Sequence, residues 1–576
     1  MIETASLQRV RRAATGLLAR WMGLLAPHYG PSGSMDLDLR LYPDAEGPSH
    51  MNQFAHYPLL LLSEGIVSNP VAPLRRTMYR RLALRNLRYA LRITGRDFKQ
   101  PLWSRGRSWG RVHSDWMIFF LQRSWRIVEE RRLGSPAFRD GLARVVEGSV
   151  DAAFRDFRAR FEPRIAEGAR SFPGNHAAWW AALFHEAGRV WRREEWRLFG
   201  ERFFHSWVLP FQDADGFWPE GGGMVGVYGM VTAQALSVYA GASGDAAARR
   251  ALGKFLAGYR RFVFPDMSVS CVADCRMTYH DRPVLLLAPE FLAFEGGTAF
   301  CLDSVRAGER WLRREPPRDN GAQGAAFFGV FVEALRGAAS GRALPLPRPR
   351  LAKVARVESP HWCALLSAQL NSETASRWCL DNQNFVDLWG PRCGLLAGGG
   401  NSKHAPLLSS VREVGGSRAF LPSRARIVRR GARAVEAEYR FRGAAVRVRL
   451  HVRGREASLT WRVAQGRLPL EAAVILALRE GDCLRTADGR VLRARAAECI
   501  ELALEPRTGP LLARGVAILA PAGARLLWPI ALWNPYRQDS LGGPLRARLA
   551  WRLSRRPSVV RFLAPSRPAR LSGRSR

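Results

Sequence analysis

The chain has 576 residues, 47% of them hydrophobic and 24% charged, which excludes a disordered chain and exceeds what one compact core holds. Two to four domains are expected, or one large repeat-built domain with a companion. Lys+Arg 88 against Asp+Glu 50 gives a net charge of +38, so the surface attracts polyanions and releases them as salt rises. The longest apolar runs, such as Tyr57 to Leu62, fall far short of the roughly 20 residues of a membrane-spanning helix, which excludes a span.

Among the basic residues only Lys99, Lys254, Lys353 and Lys403 are lysines. So strong an arginine skew, with abundant Ala and Gly, marks a GC-rich coding sequence as much as a function, and charge alone assigns no partner. Arginine is spread along the whole chain instead of being concentrated on one element with interleaved aromatics, so no specific nucleic-acid reader is expected. The N-terminal stretch Ser6 to Leu25 is helical in spacing and is broken by Arg20, so no secretory h-region forms and a cytoplasmic location is expected. The eight cysteines contain no C-x-x-C pair and are read as reduced thiols.

In chain order, apolar residues recur at i, i+3, i+4 and i+7 in Leu82 to Ile93, Trp116 to Val128, Phe138 to Phe157, Ala177 to Trp191, Trp196 to Val208, Val227 to Ala240, Ala246 to Phe262 and Ala325 to Leu335. Loops such as Gly95 to Gly110 and Asp213 to Gly226 lie between them. This predicts helical hairpins stacked into a solenoid or a closed ring over residues 1–340. The Pro-rich stretch 341–352 reads as a linker. Beyond it the period changes to two in Val435 to Phe441, Ala445 to Val452, Ala457 to Val463 and Ala472 to Leu478, which predicts an antiparallel β-sandwich over 353–560. Trp378 to Trp389 is read as its first strand and turn, and 561–576 as a basic, disordered tail.

Candidate chemistry starts at Ser171 to Trp180 (SFPGNHAAWW), where Asn175 and His176 open a helix whose N–H groups and dipole favour an anion. The Gly-rich loop Asp213 to Met230 (DADGFWPEGGGMVGVYGM) contains Glu220 and delivers Tyr228 to the start of the next helix. Asp274 to Arg282 (DCRMTYHDR) gathers Arg276, Tyr279 and His280, groups that bind a carboxylate or sulfate. In Trp103 to Trp116, Trp109 and His113 are placed to line a sugar groove, where flat rings stack on apolar sugar faces.

The Asn-His pair opening a helix, the D-G-x-W-x-E-G loop with a Tyr after it, and helices followed by a sandwich together resemble the heparinase II/III-like and alginate lyase families. Gly398 to Ser409 (GGGNSKHAPLLS) is similar to the family's Gly-rich H-x-H-x-D-x-L-S turn. His404 matches the second histidine, Ser402 stands at the first and Pro406 at the Asp. The resemblance implies an N-terminal (α/α) toroid ahead of the antiparallel β-sandwich, and an acidic polysaccharide or oligosaccharide as partner, cleaved by β-elimination without a cofactor. Asn175 then stabilises the enolate formed when the C5 proton of a uronate leaves, His176 adds a donor or base, and Tyr228 moves the proton. Arg276, Tyr279, His280, Trp109, His113, Glu220 and His404 are expected to contact substrate. Two other readings stand beside it: a glycoside hydrolase using Asp213, Asp215 and Glu220 as acid and base, and a non-catalytic polyanion-binding or assembly protein. With one imidazole in place of H-x-H-x-D, no metal is expected. Elemental analysis of the dialysed protein should find no stoichiometric zinc, and about one zinc per chain would contradict this.

Overall fold

The computed structural model describes residues 4–37, 47–67, 70–104, 107–167, 174–220, 223–272, 274, 283–315, 317, 321–338, 342–350, 352–370, 383–399, 406–418, 420–478, 481–493, 500–504, 509–531 and 545–565. They form two compact units: Met1–Trp218, Val227–Ala257 and Pro283–Arg348 in the first, and Pro219–Gly226, Gly258–Arg282 and Pro349–Arg576 in the second. Two segments inside the span read as helical domain, 219–226 and 258–282, therefore group with the sheets. Helical periodicity cannot reveal this, because the tie is polar: the side chain of Ser270 and the backbone N–H groups of Cys271 and Val272 all donate to the buried carboxylate of Asp387.

The first unit is built from α1 (Thr4–Leu25), α2 (His56–Ser63), α3 (Pro73–Ile93), α4 (Asp115–Glu130), α5 (Pro136–Ala166), α6 (Asn175–Val190), α7 (Glu194–Phe203), α8 (Gly226–Ser243), α9 (Ala246–Tyr259), α10 (Gly297–Arg314) and α11 (Gly321–Ala334). Every segment with helical periodicity contains a helix, although the one read as Ala246 to Phe262 stops at Tyr259. Two helices went unread, for different reasons. All eight residues of α2 are buried, so it has no polar face to set a period. The start of α10 looks like a loop because Gly296 has φ 68 and a Cβ on Gly297 would meet the Phe291 carbonyl oxygen at 1.8 Å. Gly95 to Gly110 is also more ordered than expected, with β1 (Gln100–Ser104) and β2 (Arg107–Val112) paired antiparallel.

Five of these helices close a ring. Tyr57 of α2 packs on Phe120 of α4, and Phe119 of α4 packs on Trp179 of α6. The Trp179 indole N–H donates to the Val231 carbonyl of α8 at 3.1 Å, and Gln234 of α8 donates to the Phe327 carbonyl of α11 at 2.8 Å. The circle is completed where Tyr57 donates to Glu333 of α11. Buried apolar surface explains the choice of helices, since α2 and α11 are apolar nearly all round, whereas α3, α7 and α10 carry one polar face and lie outside. The inner helices run parallel: Trp116 meets His176 and Phe119 meets Trp179 one turn further on, while Trp179–Val231 and His185–Tyr239 link α6 and α8 in the same sense. The N-termini of α4, α6 and α8 therefore share one mouth.

The second unit has a short hairpin, β3 (Pro219–Glu220) and β4 (Gly223–Met224), followed by β5 (Val354–Ser359), β6 (Trp362–Ser367), β7 (Val386–Gly390), β8 (Gly394–Ala397), β9 (Val411–Glu413), β10 (Arg424–Arg430), β11 (Ala434–Phe441), β12 (Ala444–Arg453), β13 (Glu456–Gly466) and β14 (Leu470–Leu476). Next come β15 (Cys483–Arg485), β16 (Val491–Arg493), β17 (Ile500–Ala503), β18 (Leu511–Ala513), β19 (Val516–Leu519), β20 (Arg525–Ala531), β21 (Leu545–Arg552) and β22 (Ser558–Leu563). Two antiparallel sheets result, in the orders β10-β11-β12-β13-β22-β19-β18-β15-β16 and β17-β20-β21-β14-β8-β7-β6-β5, with β9 on β14. Inward side chains of both fill one core, where Phe385 stacks on Tyr439 at 3.9 Å. The fold is thus helical hairpins in a ring followed by antiparallel sheets. Two strand assignments change: β7 is preceded by β5 and β6, so the Trp378 to Trp389 stretch does not supply the first strand, and β22 runs past residue 560 because Phe562 alternates into the core.

Three histidines buried in the first unit are held neutral. Desolvation lowers His50 to about 4, His56 to about 3 and His185 to about 4, from an ordinary 6.5. The unfolded chain takes up these protons near pH 6.5 and the folded chain only near pH 4, so stability falls as pH drops through that window, by roughly 3 kcal/mol per histidine for shifts of this size. The thermal midpoint should drop steeply between pH 6.5 and 4.5. A midpoint flat over that range would contradict the neutral burial.

Candidate active site at the mouth of the helical ring

Gly174 caps α6 with φ 99 and ψ 166, a conformation essentially reserved for glycine, and turns the chain so that Asn175 and His176 occupy the first helical turn. On α4 the cap is Ser114, whose hydroxyl oxygen accepts from the Met117 N–H, and Asp115 follows it. His176 Nδ1 lies 3.0 Å from Asp115 Oδ2 and 3.2 Å from Oδ1. The acceptor-only carboxylate fixes the proton on Nδ1, so Nε2 of the neutral ring is an acceptor. The same ring stacks on Trp116 with centroids 4.3 Å apart. His176 is 55% exposed while Asp115 is 5% exposed, an arrangement in which a buried carboxylate orients an imidazole that meets solvent.

His50 stands behind this pair. It is buried, its Nδ1 is 3.3 Å from the Trp103 carbonyl, and its charged form is disfavoured first by burial and then by the nearby His176. Tyr228, partly exposed, is the third residue of α8, one turn ahead of the Val231 carbonyl that holds Trp179, which is itself one turn past Asn175. Asn175, His176 and Tyr228 thus reach the same level of the ring on adjacent helices, as their spacing suggests. Asn175 departs from expectation: at 1% exposure its side chain is enclosed and does not face an open groove. The exposed imidazole of His176 is therefore the group that can meet a ligand.

Other expected contacts divide. Trp109 is 51% exposed on β2, and the neighbouring strand β1 carries the Trp103 carbonyl that meets His50, so the hairpin adjoins the mouth. His113 is not a groove residue; its Nε2 is 3.3 Å from Asp156 of α5 and only 10% of its side chain is exposed. Glu220 lies on β3 in the second unit. Arg276, Tyr279, His280 and His404 lie outside the described residues. The D-G-x-W turn is explained by packing: Asp213 Oδ1 accepts the N–H groups of Asp215 and Phe217, a Cβ on Gly216 would sit 2.4 Å from the Lys254 carbonyl, and buried Trp218 donates to the Val208 carbonyl. Asp213, one of the three carboxylates of the hydrolase reading, is therefore engaged in a turn. Among the described residues no three His, Cys, Asp or Glu side chains gather as metal ligands. Sequence reasoning missed Asp115, Trp116 as a stacking partner, and His50. The available signal was an acidic residue in the first turn of one apolar helix and a histidine in the first turn of another.

No family model matches the chain, and no curated protein does. Among solved structures it is similar to heparan sulfate lyase from Pedobacter heparinus, at 12% identity and TM-score 0.43, covering 99% of this chain and 92% of that one. A chondroitinase AC lyase matches at 10% identity and TM-score 0.47, covering 98% and 83%. An endoglucanase from Clostridium thermocellum, solved with cellobiose and cellotriose, matches at 10% identity and TM-score 0.35, covering 96% and 93%. Matches this distant leave the reaction to be argued from side chains.

Gly174→Ala should cost about 1–3 kcal/mol of stability, read by urea unfolding, because alanine strains in this cap conformation. A variant as stable as the parent would show that the cap does not constrain the turn.

Proposed function

We propose that the chain is a polysaccharide lyase-like enzyme that cleaves a uronate-containing acidic polysaccharide or oligosaccharide by β-elimination. The observation that carries this reading is the solvent-facing His176 ring, stacked on Trp116 and held by buried Asp115, at the same ring level as Tyr228. The proton on C5 of a uronate is too weakly acidic to remove unless the adjacent carboxylate is neutralised. His176, held by Asp115, meets that carboxylate, and in its charged form donates from Nε2 as the enolate develops. Tyr228 takes the C5 proton and the electron pair enters the enolate. It then re-forms across C4–C5 as the C4–O bond breaks, and the departing oxygen takes a proton from Tyr228. Parallel helix N-termini at the mouth favour the anionic substrate. Asn175 is enclosed and takes no part in the step.

The assay is the near-ultraviolet absorbance of an unsaturated uronate, screened over alginates, glycosaminoglycans and glucuronans. Tyr228→Phe should lower turnover by at least roughly a hundredfold with binding retained, and Asp115→Asn by at least roughly tenfold, with a larger effect on kcat than on KM. Substrates that are cleaved without absorbing product would point to hydrolysis, and a chain that binds every polymer yet cleaves none would leave the binding-protein reading.

A further inference from the structure

The solvent face of the sheet strands β10 to β13 is lopsided in charge, and cross-strand register defines it residue by residue. Arg424 pairs with Arg440; Arg426, Glu438, Arg447 and Arg462 form a row across four strands; and beyond a bulge at Val428, Arg429, Glu436 and Arg449 form another. Paired residues share a face, so seven arginines stand over two glutamates, while the alternate positions Tyr439, Val448 and Trp461 fill the core. Glu438 accepts from Arg447 at 3.0 Å and from Arg426 at 3.2 Å, with Arg440 at 3.4 Å, so one carboxylate is shared by three guanidinium groups. Those hydrogen bonds hold its carboxyl below the ordinary range. Glu438 also floors a cavity of about 450 Å³ rimmed by Lys353, Leu370, Arg424, Arg426 and Arg440. Arg424, Arg429 and Arg449 are exposed, with no carboxylate partner among the described residues.

We infer that this face is a second, non-catalytic binding site for a linear acidic polysaccharide, one whose carboxylate or sulfate groups engage the arginine rows. Strand spacing of about 4.8 Å repeats the guanidinium forks across the sheet, and each fork matches a planar oxyanion in two hydrogen bonds. Among the described residues His451, on β12 beside Arg449, is the one aromatic side chain of these four strands on this face, too few rings for successive bases to stack on, which disfavours single-stranded nucleic acid. Val428 is its one exposed large apolar side chain among the described residues, too little to insert into a lipid surface. The site shares a ligand class with the lyase reading and none of its residues.

The test is the triple variant Arg424→Ser/Arg429→Ser/Arg449→Ser in the full chain, with alginate and heparin as probes and duplex DNA as competitor. The parent should bind at least one of the two polymers with an affinity that falls as salt rises. The variant, with an unchanged unfolding midpoint, should bind at least tenfold more weakly and with a shallower salt dependence. Activity on short unsaturated-product-forming oligosaccharides should be unchanged. Unaltered polymer affinity in the variant would overturn the inference, as would duplex DNA competing at equal charge concentration as well as the polymer does. Weakened binding without any lyase activity in the parent would sustain the site and sink only the catalytic reading.

Discussion

Parallel packing of five helices in a closed ring is the constraint on which the candidate site depends. Aligned helix dipoles repel, by tenths of a kcal/mol to about one kcal/mol per end. Aromatic burial outweighs that: Trp179, Phe119, Phe120 and Phe327 converge within the ring, and side chains of this size each contribute roughly 1.5–3 kcal/mol or more when removed from water. What the packing leaves is a mouth where several helix N-termini point the same way. Asp115 offsets part of that field, and through His176 turns it into a directed hydrogen-bonding group.

A second polar level fixes the register of the ring. Arg123 of α4 reaches Glu186 of α6 at 2.7 Å and also pairs with Glu333 of α11, while Tyr57 of α2 donates to Glu333 at 2.6 Å. Four inner helices are thereby pinned by one guanidinium about two turns below the mouth. A helix that slipped by one turn would leave a largely buried charge unpaired, at a cost of several kcal/mol. Holding the lower level in place holds the Asp115–His176 pair above it.

Much of this was legible in the sequence because periodicity follows from burial. The amphipathic helices and the alternating strands β11, β12 and β13 could be read directly. Less visible was α2, buried on all sides, and the docking of 258–282 on the sheets, which depends on the Asp387 carboxylate receiving three donors from far along the chain. At the site, Asn175, His176 and Tyr228 could be placed by spacing from helix starts, but Asp115 could not, since its pairing with His176 needs the contact between α4 and α6. The D-G-x-W turn also has a packing role that the sequence did not display: its glycine allows close approach to the Lys254 carbonyl, and its acid accepts two N–H groups of the turn.

The central claim is that His176 presents an imidazole, backed by Asp115, to an acidic sugar. Nitrogen-detected NMR of the histidine side chains during titration with a uronate tetrasaccharide addresses it most directly, with His205, which pairs with Asp245 elsewhere in the helical unit, as internal reference. The account predicts a saturable shift of the His176 Nε2 resonance with His205 unmoved, and the loss of that shift in Asp115→Asn. Saturable binding that leaves His176 unperturbed would contradict it.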